Sequence, residues 1–236
     1  MVCSSAGQGT MSDPASFTDY YLRQIGVVTP LSEAGETQSD HSKSIPETVS
    51  EKVNLEDLAR QAAGCTACAL SRKRTQVVFG TGNPHADILF IGEAPGHDED
   101  IKGEPFVGRA GKLLDGLLAA LGFDRQSVYI MNVVKCRPPE NRNPKPEEVQ
   151  ACSQWFDPQW DAIAPKIVCL LGRVAAQRVL QTEEPLTALR GKWHEYRGVP
   201  VWVTYHPAYL LRSPSQKSRV WADLRLLYRR YQSLMT

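Results

Sequence analysis

Four runs of this chain are apolar at almost every position: DILFIG (87–92), SVYIMNVVK (127–135), KIVCLLG (166–172) and VPVWVTYHP (199–207). A strand with water on one face alternates apolar and polar residues, whereas a strand apolar throughout must be covered on both faces. Parallel sheets layered between helices meet that requirement. The stretches between the runs are helical in pattern. After the first run, Leu113, Leu114, Leu117, Leu118 and Leu121 share one helical face. After the second, KPEEVQACSQWF opens with Pro146 at a position suited to the first helical residue, and Glu147 and Glu148 favour the positive end of the helix dipole. A helix is expected from about Leu55 to Gly64. A last one, roughly Gln216 to Ser233, turns Val220, Leu224, Leu227 and Tyr231 inward with Arg219, Arg225, Arg229 and Arg230 largely elsewhere. The expected fold class is α/β: a single three-layer domain over residues 55–236 around a parallel sheet.

Residues 1–54 read differently. SEAGETQSDHSKSIPETVS (32–50) is polar, acidic and poor in large apolar residues, too little to offset chain entropy, and is expected to be a disordered linker. Before it, FTDYYLRQIGVV suits a short helix, a frayed amphipathic segment or a peptide for a protein partner. Residues 1–54 carry three basic and seven acidic side chains, a net charge of −4; the remaining 24 basic and 19 acidic side chains give +5. That asymmetry fits a polyanion-binding domain with an acidic tail, and equally a solvated surface with no partner. No apolar run approaches the ~18 residues of a membrane span, and MVCSSAGQGT has neither a basic leader nor an apolar core. A cytoplasmic monomer is expected, and in a reducing compartment its six cysteines are not expected to form disulfides.

Ligands of parallel α/β sheets bind beyond the carboxyl ends of the strands. Three unusual segments follow strand ends here: GEAPGHDEDIKGEPFVGRAGKLLDGLL (92–118), NVVKCRPPENRNP (132–144) and HPAYLLR (206–212). The first spends about sixteen residues before its helix, long for a βα connection and typical of a loop that holds a ligand. Cys65 and Cys68 form C-x2-C, which alone reads as a redox dithiol, half a zinc site or chance. With Cys136 and Cys152, which have fifteen residues between them, a four-thiolate site for zinc or an iron–sulfur cluster becomes plausible, and spacing does not choose the metal. Cys169, inside an apolar strand, reads as a small core residue.

The ordered set C-x2-C, GEAPG, GEPFVGRAGKLLD, NVVKCRPPENRNP and HPAYLLR resembles the family four uracil-DNA glycosylases over roughly Leu55 to Arg230. The resemblance implies a four-stranded parallel sheet with a uracil pocket at the strand ends, and a 4Fe-4S cluster on Cys65, Cys68, Cys136 and Cys152. It implies uracil-containing DNA as partner, with uracil hydrolysed from single- or double-stranded DNA to leave an abasic site. Phe106 resembles the residue that stacks on the flipped base; without the motif it reads as a core phenylalanine. Asn132 resembles the uracil reader, in a place where an asparagine also serves turns. His206 would donate to uracil O2, and Glu93 would orient or activate water or stabilise the sugar cation.

Gly92, Ala94 and Gly96 would line the pocket. Ala94 stands where the related family-one enzymes have a water-activating aspartate, and Gly96 where they have the tyrosine that excludes thymine. Gly108, at the start of a helix, is a place for backbone amides to meet a phosphate. Tyr209, Leu210 and Leu211 are candidate wedges into the base stack, or inward-packing residues, with Arg212 and Lys217 on phosphates. Two other readings are a non-catalytic iron–sulfur DNA-binding or polymerase-associated protein and, lower in rank, a variant that traps uracil covalently.

Overall fold

The computed structural model describes residues 54–236, with Gly26 alone before them; the expected linker and the FTDYYLRQIGVV helix lie outside the described residues. Strands β2 (Ile88–Gly92), β3 (Tyr129–Asn132), β4 (Ile167–Leu171) and β6 (Val199–Thr204) are the four apolar runs. They pair in parallel, in the order β3-β2-β4-β6. The sheet is wider than the expected four strands. A two-residue β1 (Thr81–Gly82) adds antiparallel to β3, and β5 (Trp193–Tyr196) adds antiparallel to β6, giving six. Neither carries an apolar run: β1 is too short for a pattern, and β5 alternates exposed and half-buried positions as an edge strand does. Arg197 and Gly198, at φ of 51° and 77°, make the β5–β6 hairpin, the two-residue type with both central residues left-handed.

Helices α1 (Leu55–Ala63), α2 (His97–Lys102), α3 (Arg109–Ala120), α4 (Pro146–Ile163), α5 (Arg173–Leu180), α6 (Leu186–Leu189), α7 (Pro207–Arg212) and α8 (Lys217–Met235) complete the domain. Because side chains alternate along each strand, the sheet builds two cores. Ile88, Phe90, Ile130, Cys169, Leu171 and Trp202 pack with the leucines of α3 and with Val220, Leu224 and Leu227 of α8. Leu89, Ile91, Met131, Val168, Leu170, Val201 and Val203 pack with Phe156 and Trp160 of α4 and with Ala175, Ala176 and Val179 of α5. Truncating any of these fully buried leucines to alanine costs about 2–5 kcal/mol. The first parallel strand, β2, lies between β3 and β4, so the chain changes direction across the sheet there and leaves a crevice at its tip.

Candidate active site and thiol cradle

Three strand tips converge on that crevice. Gly92 ends β2 in register with Asn132, which ends β3, and His206 follows β6 by two residues. The long loop after β2 returns as a wall. Within it, α2 is clamped by Glu99, whose carboxylate accepts the backbone N–H groups of Gly96, Val107 and Gly108, each at 3.0 Å. The expectation that the Gly108 amide meets a phosphate is corrected: that N–H is already taken. Gly96 is required by the same clamp, since a Cβ there would lie 2.7 Å from Glu99 Oε2.

Phe106 is buried, with the left-handed φ of 55°, a conformation that costs a non-glycine residue of order 1–3 kcal/mol. Two features hold it there. Arg125 donates to the carbonyls of Pro105, at 2.9 Å, and of Phe106, while its Nε meets Asp115 at 2.8 Å. Gly111 lets the Phe106 carbonyl lie on helix α3, where a Cβ would come within 1.7 Å of that oxygen. The ring then stands 5.4 Å from the His206 ring. It also approaches β2 so closely that a Cβ on Gly92 would meet Phe106 Cζ at 2.5 Å and Asn132 Oδ1 at 2.4 Å.

The resulting cavity, about 420 Å³, is shared by Phe106, Asn132, His206, Glu93, Ala94 and Gly96, and Tyr209, Arg142 and Arg212 also line it. Asn132 is 2% exposed, and its Oδ1 has no hydrogen-bond partner; an unpaired buried acceptor of this kind costs about 1–3 kcal/mol. His206 Nδ1 accepts the Ala208 N–H at 3.2 Å, so a neutral ring carries its proton on Nε2. Burial, and secondarily the charge of Arg212, lower the His206 pKa to about 4. The half-buried ring lines the cavity wall.

Glu93 is held by a pair that the motifs did not single out. With its amide oriented to satisfy both neighbours, Asn143 donates to Glu93 Oε1 at 3.1 Å and accepts from Arg173 at 3.0 Å. Burial raises the Glu93 pKa above the ordinary carboxylate value, and the Arg173 charge works against that rise. Asn143 stood inside a quoted motif without a role, and Arg173 and Arg125 lay outside every motif.

The HPAYLLR segment divides. Tyr209 and Arg212 reach the cavity, Leu211 is half-buried against the α3/α8 core and Lys217 is half-buried at the start of α8. Leu210 is fully buried in that same core, which corrects its assignment as a wedge: a residue already packed among leucines is not free to enter a base stack.

Cys65, Cys68, Cys136 and Cys152 line one small cavity of about 10 Å³ on the opposite side of the β3 tip, with Arg74, Lys135 and Trp155. Arg74 donates to Cys136 Sγ at 3.1 Å, and the Lys135 backbone N–H to Cys152 Sγ at 3.3 Å. Burial pushes the Cys152 thiol up to about 11 and raises that of Cys136, with Lys135 and Arg74 respectively opposing. The thiols frame a space rather than a point: among the described residues no three His, Cys, Asp or Glu side chains are placed to hold one metal ion. Cys169 is a buried core residue whose thiol is pushed far up by burial.

The sequence profile of the Uracil DNA glycosylase superfamily matches residues 79–225, from just before β1 into α8. The chain belongs to that superfamily. Similar proteins within it include a type-4 uracil-DNA glycosylase of Archaeoglobus fulgidus, 43% identical over 180 residues, 73% of this chain and 90% of that protein. Another, from Thermotoga maritima, is 44% identical over 167 residues, 70% of this chain and 87% of that protein. These relatives make the chain a member of the type-4 uracil-DNA glycosylase family. The family match spans the whole cavity lining, from Glu93 to Arg212, whereas Gly92, expected in the lining, lies behind it against Phe106 and Asn132. Among the described residues no helix is long and apolar enough to cross a membrane.

Proposed function

We propose that this chain flips uracil out of DNA into the 420 Å³ cavity and hydrolyses its N-glycosidic bond, leaving an abasic site. The observation that carries the reading is the unpartnered Oδ1 of Asn132, buried in the same cavity as an aromatic face and an imidazole. Uracil N3–H donates to that oxygen and uracil O4 accepts from the amide nitrogen; cytosine presents the reverse pattern and leaves both groups opposed. A base inside a duplex is out of reach, so extrusion is required, and stacking on Phe106 supplies about 1–3 kcal/mol toward it.

When the C1′–N1 bond breaks, its electron pair moves into the departing uracil and negative charge gathers on O2. The Nε2–H of neutral His206 is a donor for that oxygen, in the manner of an oxyanion hole. The attacking water joins C1′ and its proton leaves to solvent. Glu93, fixed by Asn143 and Arg173, is the carboxylate at the cavity that orients this water or faces the sugar cation. Arg142 and Arg212 at the rim face phosphates.

The four thiols fit a 4Fe-4S cluster. A single zinc at 2.3 Å from each sulfur needs its donors roughly 3.8 Å from one another, whereas a cluster takes each thiolate on a separate iron and suits a frame around a space. Cationic Arg74 and the Lys135 N–H meet the sulfurs as a thiolate set requires. When bound, the cluster supplies a covalent cross-link between the C-x2-C segment, the β3 tip and α4.

The test is release of uracil from single-stranded and duplex oligonucleotides by iron-replete protein, with thymine mismatches and hypoxanthine alongside. Uracil release that Asn132→Ala and His206→Ala both suppress is the expected result. DNA binding with no base release, unaffected by either substitution, would place the chain among non-catalytic DNA-binding proteins instead.

A further inference from the structure

We infer that Lys135 is a positioning residue that ties the base-reading face of Asn132 to the thiol cradle, so that uracil affinity at the first depends on the charge held in the second. The inference rests on the uracil-reading role proposed for Asn132. Lys135 is 1% exposed, and a buried ammonium persists only where donors and charge are matched. Its side chain folds back along the strand tip and Nζ donates to the carbonyl of Asn132 at 2.9 Å. A second bond goes to Gln159 Oε1 on α4. Gln159 is itself fixed, donating to the Phe79 carbonyl at 3.1 Å and the Tyr129 hydroxyl at 3.0 Å. The rings of Phe79 and Phe156 flank the ammonium, with centroids 5.7 and 5.8 Å away.

Neither acceptor of Nζ is a carboxylate, and no ion pair to Lys135 occurs among the described residues. With a cluster held on the four thiolates, the offsetting negative charge would come from the cradle. The same residue's backbone N–H reaches Cys152 Sγ, and Cys136 is its chain neighbour. One residue thus bonds a sulfur with its main chain and the base reader's main chain with its side chain. The carbonyl it grips belongs to the residue whose Oδ1 waits in the cavity. A thiolate set holds the ammonium in place, the ammonium holds the Asn132 peptide, and the peptide sets where the amide points.

Linkage is reciprocal, which gives a readout apart from catalysis. Free uracil titrated into iron-replete protein is expected to change the visible circular dichroism of the cluster as it saturates. Lys135→Met, which keeps an apolar stem between the two rings, is expected to retain iron, to bind free uracil about tenfold more weakly and to lose the spectral response. Unchanged uracil affinity with the response intact overturns the inference, whatever happens to the melting temperature. If Lys135→Met does not fold, Gln159→Met withdraws one acceptor from Nζ; it is expected to weaken uracil binding at full iron content, and unchanged affinity is again the overturning result. Wild-type protein that neither binds free uracil nor releases it from DNA sinks the base-reading role, and this linkage with it. Binding without any spectral response sinks the linkage alone.

Discussion

His206 shows how much one half-buried side chain determines. Its folded pKa of about 4 lies below the ordinary histidine value of about 6.5. Above pH 6.5 the ring is neutral in both folded and unfolded chains and adds no pH dependence. Between 6.5 and about 4 the unfolded chain takes up the proton first, so stability falls as the pH is lowered, and below that the loss is complete. Urea midpoints measured across this window are expected to fall less steeply for His206→Gln than for the parent. The proposed mechanism uses the same neutrality: His206→Ala is expected to lower kcat by about 10²–10³-fold, and the parent's pH–rate profile is expected to show no break near 6.5. The proposed mechanism assigns the acid limb to Glu93 instead. Since Arg173 opposes the rise in its pKa, Arg173→Ala is expected to move that limb to higher pH, read from kcat/KM against pH.

Helix α3 carries the opposing demands of propensity and packing at one position. Alanine is a better helix former than glycine by about 1 kcal/mol, so on local grounds Gly111→Ala stabilises. The Phe106 carbonyl in its path reverses the sign. Overpacking costs about 1–3 kcal/mol, and the strained turn that presents Phe106 must shift. Chemical denaturation and uracil release are both expected to fall, and a stabilised, fully active variant would show that the carbonyl moves at no cost. The parallel strands and their helices were legible in the sequence because an apolar run and a 3.6-residue stripe are local signals. The gathering of Phe106, Asn132 and His206 was legible only through ordered motifs. Edge strands β1 and β5 lacked any apolar signature. The Glu93–Asn143–Arg173 set and the grip of Arg125 on Phe106 join residues far apart in the chain, and polar pairing across such distances leaves no periodic trace. Leu210 was misplaced because an exposed and a buried leucine look alike in a loop motif.

At the scale of the molecule, among the described residues the buried members of both cores run from Leu70 onward, with Leu55 and Cys68 packed against one of them and α1 closing a small third cluster against Phe79. A fragment of residues 54–236 is therefore expected to fold and to release uracil as the full chain does, checked by circular dichroism and the same assay. The thiol cradle joins the segment after α1 to β3 and α4, so stripping iron with a chelator and reductant is expected to expose residues 64–74 to protease first while the sheet persists. The Arg197–Gly198 hairpin has the opposite character. It caps the amino end of β6, whereas the cavity opens at the carboxyl end, and among the described residues nothing lies within 4 Å of where a Gly198 side chain would begin. A fluorophore or surface tether spliced in at that turn would ride on the back of the enzyme, leaving a single molecule free to scan an immobilised duplex while it is watched.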